Sequence, residues 1–332
     1  MKHSFATQKK SSEDDETCHG GVNPVLNLEN VNFLQWKNCL KLSNELVELI
    51  VSTGLGPRII SFRSLGGKNV FGVFEDGIAH PDPAKQTWKS FGGHRLWMAP
   101  EIFPRTYYPD YDPVDHHFDG KTLFLKCVTE KGVGLQKEIE ITMEPDSSRV
   151  TVLHRVYNRN RFAVEFAPWA LSVMACGGRA IIPQEPYVPH GKEPGETFDP
   201  ARPLVLWPFT NMSDPRFCWG EKYVTLREDE TLPAKQKIGV TNKVGWIAYA
   251  LNGELFVIRQ PYEPGANYPD YGCNAEFFTR GGMLEMESLG PLRKIEPDDC
   301  AELTEHWEIL PVCLSSDQDE MERQLNAIDL RR

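Results

Sequence analysis

The sequence predicts an all-β protein, and three observations carry the prediction. Short runs rich in β-branched and aromatic residues recur along the chain, each of about strand length and each bounded by Gly, Pro, Asn or Asp. One of them, LQKEIEITME, alternates with period two: Leu135, Ile139, Ile141 and Met143 share a face, while Lys137 and Glu138 interrupt the pattern near its start. Helical periodicity is convincing only at the end of the chain. The class expected is an antiparallel β-sandwich with a short, peripheral C-terminal helix.

Taken in order, residues 1–22 are polar and rich in Ser, Lys, Asp and Glu, a composition too poor in apolar surface to order itself, and read as a tail. They lack the apolar core of a secretory signal, and no apolar run is long enough to span a membrane, so a soluble, cytoplasmic protein is expected. Residues 23–332 read as a single domain, since all-β architectures of this size commonly close around one core. The strand-length runs are FLQWKNCLKLS, LVELIVSTG, RIISFRSLG, NVFGVF, LFLKCVTE, LQKEIEITME, RVTVLHRVYN, VEFAPWALSVMA, VGWIAYAL, ELFVIRQ and MLEMESLG. In SSDQDEMERQLNAIDLRR, Ser or Asp can cap a short helix that carries Met321, Leu325 and Ile328 on one side.

Between the runs lie irregular segments, Pro104–Gly120, Ile181–Gly220 and Pro261–Thr279, of a length that usually carries function. The first and third share the tetrapeptide YPDY, at Tyr108–Tyr111 and Tyr268–Tyr271. Both interleave aromatic rings with carboxylates, the chemistry with which proteins stack on sugar faces and bond to sugar hydroxyls. The second segment, with His190 and Asp214, reads either as a lid or as ordinary turns.

Charge narrows the partners. The 332 residues carry a formal net charge of −11 with no basic patch, which argues against nucleic acid or an anionic membrane surface and for a small neutral molecule. Eight scattered cysteines without paired spacing read as reduced thiols, mostly buried. No metal site is expected: the acidic loop around Asp110, Asp112, Asp115 and Asp119 lacks the spacing of a calcium loop. No cofactor is expected either, because the glycine pairs lack the strand-to-helix setting of a phosphate loop.

The series Trp36–Phe71, GGHRLWMAPE, PWALSVMACGG, LWPFTNMSDPRF, KIGVTNKVGWIAY, YPDYGCNAEFFT and MLEMESLGPL resembles an uncharacterised branch of the galactose mutarotase-like, or aldose 1-epimerase-like, superfamily over residues of about 30 to 311. The resemblance implies a β-supersandwich with a sugar cleft on a concave sheet face. It also implies chemistry in which a glutamate takes the anomeric hydroxyl proton and a histidine protonates the ring oxygen.

Carried over residue by residue, Glu276 resembles the glutamate base, and its neighbours Phe277 and Phe278 favour a raised pKa; the alternative is a solvated strand glutamate. His94 resembles the first mutarotase histidine, although here it follows the glycine pair rather than preceding it. Arg95 resembles a substrate-holding arginine; otherwise His94 satisfies a turn and Arg95 pairs with Glu101. Trp97 and Glu101 complete this wall, Tyr271 and Asn274 join Glu276, and Lys237 with Asn242 projects from a strand end. Arg58 lies either near the cleft or under it as a structural arginine bridging backbone carbonyls. Where the resemblance expects a second, acid histidine, PWALSVMA offers Trp169, Ala170 and Leu171, so the acid comes from elsewhere, for instance His116 or His117. An aldose 1-epimerase-like isomerase is therefore expected, the alternative being a carbohydrate-binding protein that lost the acid.

Overall fold

The computed structural model describes residues 26–80, 82, 84, 88–187, 190, 200–328 and 330. The predicted tail, and residues 188–189 and 191–199 of the lid candidate, lie outside the described residues. Two large antiparallel sheets dominate. The first runs in space through Asn27–Phe33, Trp36–Ser43, Val47–Ser52, Arg58–Ser64, His94–Ala99, Val164–Met174, Met283–Leu289, Ala275–Arg280, Gln236–Val240 and Leu204–Leu206, with Arg293–Ile295 pairing one end of Val164–Met174. The second runs through Phe217–Trp219, Tyr223–Arg227, Arg179–Pro183, Trp246–Leu251, Glu254–Arg259, Cys300–Leu310, Val150–Asn158, Leu135–Met143, Thr122–Lys126 and Asp115–Phe118. The strands Val73–Ala79 and Lys89–Gly92 form a separate ribbon.

The two sheets bury themselves differently. In the second, Leu135–Met143 and Val150–Asn158 alternate buried and half-exposed residues, as a sheet with one solvated face must. Lys137 keeps this phase rather than breaking it: its ammonium is buried against Glu130, 2.6 Å away. In the first sheet, Val47–Ser52, His94–Ala99 and Met283–Leu289 are buried at every position, so both of its faces are covered. One face meets the second sheet, where Phe62, Phe71, Phe256 and Trp307 pack with ring centroids 5.5 to 5.8 Å apart. The other is covered by the ribbon and loops that shape a cleft.

Two glycines bring the ribbon against this face. Gly92 and Gly93 adopt φ of +74° and +67°, and an added Cβ would lie 2.1 Å from the Gly72 carbonyl oxygen or 2.4 Å from that of Ile59. Only glycine tolerates both the left-handed backbone and the close crossing.

The C-terminal helix spans Gln318–Asn326, capped by Asp317, whose carboxylate accepts the Glu320 N–H at 2.9 Å. Met321 and Leu325 are buried against Ile181, Trp246 and Val257, with Ile328 packed at the margin. The cysteines depart from expectation: among the described residues all are free thiols, but only Cys39, Cys127 and Cys273 are buried, while Cys18 lies outside the described residues. No helix among the described residues is long and apolar enough to cross a membrane.

Candidate functional cleft

Antiparallel register builds the site. Arg58, Arg95, Leu171, Glu287, Glu276 and Gly239 pair strand to strand, forming one row across the first sheet and sharing its outer face. Two residues along, Trp97 pairs with Trp169 on one side, and on the other Lys237 pairs with Phe278, which pairs with Glu285. Over these rows opens a cleft of about 230 Å³ whose lining includes Trp88, Arg95, Trp97, Trp169, Lys237 and Glu287.

One wall is aromatic. Trp97 lies 5.0 Å from Trp88, 5.2 Å from Tyr107 and 5.4 Å from Trp169, centroid to centroid. The Arg95 guanidinium lies 4.6 Å from the Trp97 ring and donates to Glu285 at 3.0 Å, while its Nε–H has no partner among the described residues. Glu101 accepts the Tyr107 hydroxyl, and burial together with that carboxylate pushes the phenol's pKa up.

The floor is ionic. Lys237 Nζ lies 2.7 Å from Glu276 and 3.1 Å from Glu287, and 4.9 and 4.7 Å from the ring centroids of Trp169 and Trp207. The Trp169 indole N–H also donates to Glu287, at 3.0 Å. Burial raises both carboxyls, that of Glu276 the more strongly, against the opposing pull of Lys237. The two carboxylates in turn hold Lys237 protonated despite its burial. Glu276 sits beneath Lys237 and is fully buried, so Glu287 and Lys237 are the members of the trio on the lining.

Arg95, Trp97, Glu101 and Lys237 thus meet in the cleft, with Glu276 below them. The other predicted residues are elsewhere. His94 points to the opposite face from Arg95, into the seam between the sheets, where Nδ1 lies 2.9 Å from Ser172 Oγ and Nε2 2.7 Å from His154 Nε2. The expected pairing of His94 with Glu276 is corrected by strand alternation: neighbours on a strand face opposite ways, and it is Arg95 that shares the row of Glu276.

Arg58 is fully buried under the cleft, donating to the Gly92 carbonyl and to Asp110 at 2.5 Å. Asn274 accepts the Asn242 N–H at 2.5 Å and donates to its carbonyl at 3.0 Å, so the two asparagines clamp neighbouring turns rather than line the cleft. Tyr271 is 95% exposed, on a left-handed residue of the short helix Pro269–Gly272. His116 and His117 are exposed on the edge strand Asp115–Phe118 of the second sheet, and Asp214 is bound to Arg216 at 2.9 Å.

Glu285, Glu287, Trp88, Trp169 and Trp207 were not anticipated as site residues. MLEMESL did hold a signal, since glutamates two apart in an otherwise apolar run fall on one face of a buried strand.

No family model and no curated protein matches the sequence. Solved structures do match. The Slr1438 protein of Synechocystis aligns over 85% of this chain and 99% of its own at 11% identity, with a TM-score of 0.55. A mutarotase candidate of Salmonella typhimurium, YeaD, aligns over 88% and 95% at 8% identity and a TM-score of 0.53. An aldose 1-epimerase candidate of Klebsiella pneumoniae aligns over 91% and 86% at 10% identity and a TM-score of 0.52. A TPR-domain-containing protein of Parabacteroides distasonis also matches, with 14% identity and a TM-score of 0.55; this chain covers 48% of its length. The two packed antiparallel sheets and these neighbours agree: the chain has the galactose mutarotase-like β-supersandwich fold.

Proposed function

We propose that this protein acts on a small carbohydrate as an aldose 1-epimerase-like isomerase, and that its described residues make up one domain around the cleft. One arrangement supports the reading: the Lys237 ammonium lies between the carboxyls of Glu276 and Glu287, on the floor of an aromatic-walled cleft. Binding alone calls for ring faces and hydrogen-bond donors. It does not call for three ionisable groups withdrawn from water at a cost of several kcal/mol each.

Anomerisation needs one group to take the anomeric hydroxyl proton and another to return a proton to the ring oxygen. Glu287, on the lining, takes the first. Lys237 donates the second as the ring bond breaks and the carbonyl forms. On reclosure the ring hydroxyl returns that proton to Lys237 while Glu287 gives its own back to the anomeric oxygen, with Glu276 holding the ammonium in place from below. Arg95 and Trp97 orient the sugar, the guanidinium by paired donors and the indole by stacking.

A second reading, binding without catalysis, is favoured by one observation: among the described residues, His80 is the only histidine on the lining. Two-dimensional exchange NMR on free aldoses, uronic acids and sugar phosphates distinguishes the two. Accelerated exchange between anomers that disappears in Glu287→Gln is the expected result. Line broadening of a sugar without faster exchange would leave only the binding protein.

A further inference from the structure

Behind the cleft wall, in the seam between the sheets, three titratable side chains converge. His94 comes from the first sheet, whereas His154 and Glu305 come from paired strands of the second, Val150–Asn158 and Cys300–Leu310. All three are buried, and one donor atom of each lies within 4.8 Å of the other two. The rings of Phe71 and Trp307 enclose them, with centroids 6.3 and 4.7 Å from that of His94.

The rear atom of each imidazole is already engaged. His154 Nδ1 lies 2.9 Å from the Leu303 carbonyl, which only accepts, so Nδ1 carries the hydrogen and a neutral ring turns its Nε2 lone pair inward. His94 Nδ1 lies 2.9 Å from Ser172 Oγ, and Glu305 accepts the Trp307 indole N–H at 2.7 Å. Hydrogen bonds of this kind hold metal-ligating imidazoles and carboxylates from behind.

In front, the two Nε2 atoms face each other at 2.7 Å, which requires a proton or a cation between them. A proton satisfies the histidines but leaves Glu305 buried, 3.9 Å from His94 Nε2, with no lysine or arginine ion pair among the described residues. A cation serves all three. Donors each about 2.0–2.1 Å from a tetrahedral zinc lie roughly 3.3 Å from one another. The observed 2.7 and 3.9 Å fall on either side of that spacing, each about 0.6 Å from it, and the third pair, His154 with Glu305, lies within 4.8 Å.

We propose that His94, His154 and Glu305 form a buried site for a divalent transition-metal ion, Zn²⁺ foremost, that ties the two sheets together. Two imidazoles and a carboxylate are a donor set that zinc accepts. Because the side chains are wholly enclosed, the ion enters as the chain folds, and a chelator does not strip it from the native protein.

The test uses the full chain produced with Zn²⁺ or Co²⁺ in the growth medium and dialysed against EDTA. The expected result is one metal per chain by elemental analysis, with X-ray absorption showing two imidazole nitrogens, oxygen and no sulfur. The ion should be lost in His154→Asn and Glu305→Gln, and protein made in metal-restricted medium should melt at a lower temperature. If the variants do not fold, the wild-type X-ray absorption decides. A chain without stoichiometric metal overturns the proposal, as does sulfur coordination, which would move the ion to cysteines, or its retention in both folded variants. Equal melting temperatures with and without metal would refute the tie between the sheets.

Discussion

Replacing Lys237 with Met keeps most of the side chain's apolar length and removes only the cation between Glu276 and Glu287. Two buried carboxyls then face one another without compensation, and breaking a buried ion pair this way costs about 3–5 kcal/mol when the partners remain ionised. The cost depends on pH. Burial holds the Glu276 carboxyl well above its ordinary value in the folded protein, so folding favours the protonated form. Stability from that preference is fully present below the unfolded pKa and is lost as pH rises through the folded one. Removing Lys237, which opposes the rise at both carboxyls, lifts the folded values further and steepens the loss. The variant should therefore differ from wild type by about 1 kcal/mol or less near pH 5 and by about 3–5 kcal/mol near pH 8. With an unfolding entropy of about 2.1 cal/mol/K per residue over roughly 300 residues, the larger figure corresponds to about 5–8 °C in melting temperature. Denaturant titrations at both pH values, with Lys235→Met at the exposed lip as control, measure it. A destabilisation equal at the two pH values, or below about 1 kcal/mol at the higher, would refute the buried trio as described.

Trp97→Ala removes a ring face from the cleft wall and should weaken the proposed carbohydrate binding about 2- to 12-fold by calorimetry, while Tyr271→Ala, fully outside the cleft, should leave it unchanged. Gly93→Ala places a Cβ 2.4 Å from the Ile59 carbonyl oxygen at a left-handed backbone position; it should cost about 2 kcal/mol or more in denaturant unfolding or prevent folding. Asp317→Ala should cost about 1 kcal/mol by loss of the helix cap, with no effect on ligand binding at the cleft.

The fold was legible wherever strands were long and one-sided. Leu135–Met143 shows its register in the alternation of its own side chains, and the terminal helix shows both its cap and its buried pair. Short strands were not legible. Asp115–Phe118, sequence DHHF, reads as loop because an edge strand with both faces near solvent needs no apolar alternation, and charge there is protective. Leu204–Leu206 and Phe217–Trp219 are three residues each, set among prolines and turns, and only their partners Gln236–Val240 and Tyr223–Arg227 make them strands.

The site was half legible, for a reason that lies in a single strand. His94 and Arg95 are adjacent, both buried and both polar, and sequence gives no sign of which faces the cleft, since His94–Ala99 is buried at every position and its pattern has no period. The answer comes from across the sheet. Arg95 stands in register with Leu171 and so with Glu287 and Glu276, whereas His94 stands in register with Ser172 and Met286, whose strand positions face the second sheet. One residue of register therefore separates a cleft of aromatic rings and paired charges from an internal histidine pair. The same alternation sends the two polar residues of the GGHR stretch to opposite places, the arginine to the cleft and the histidine to the seam between the sheets.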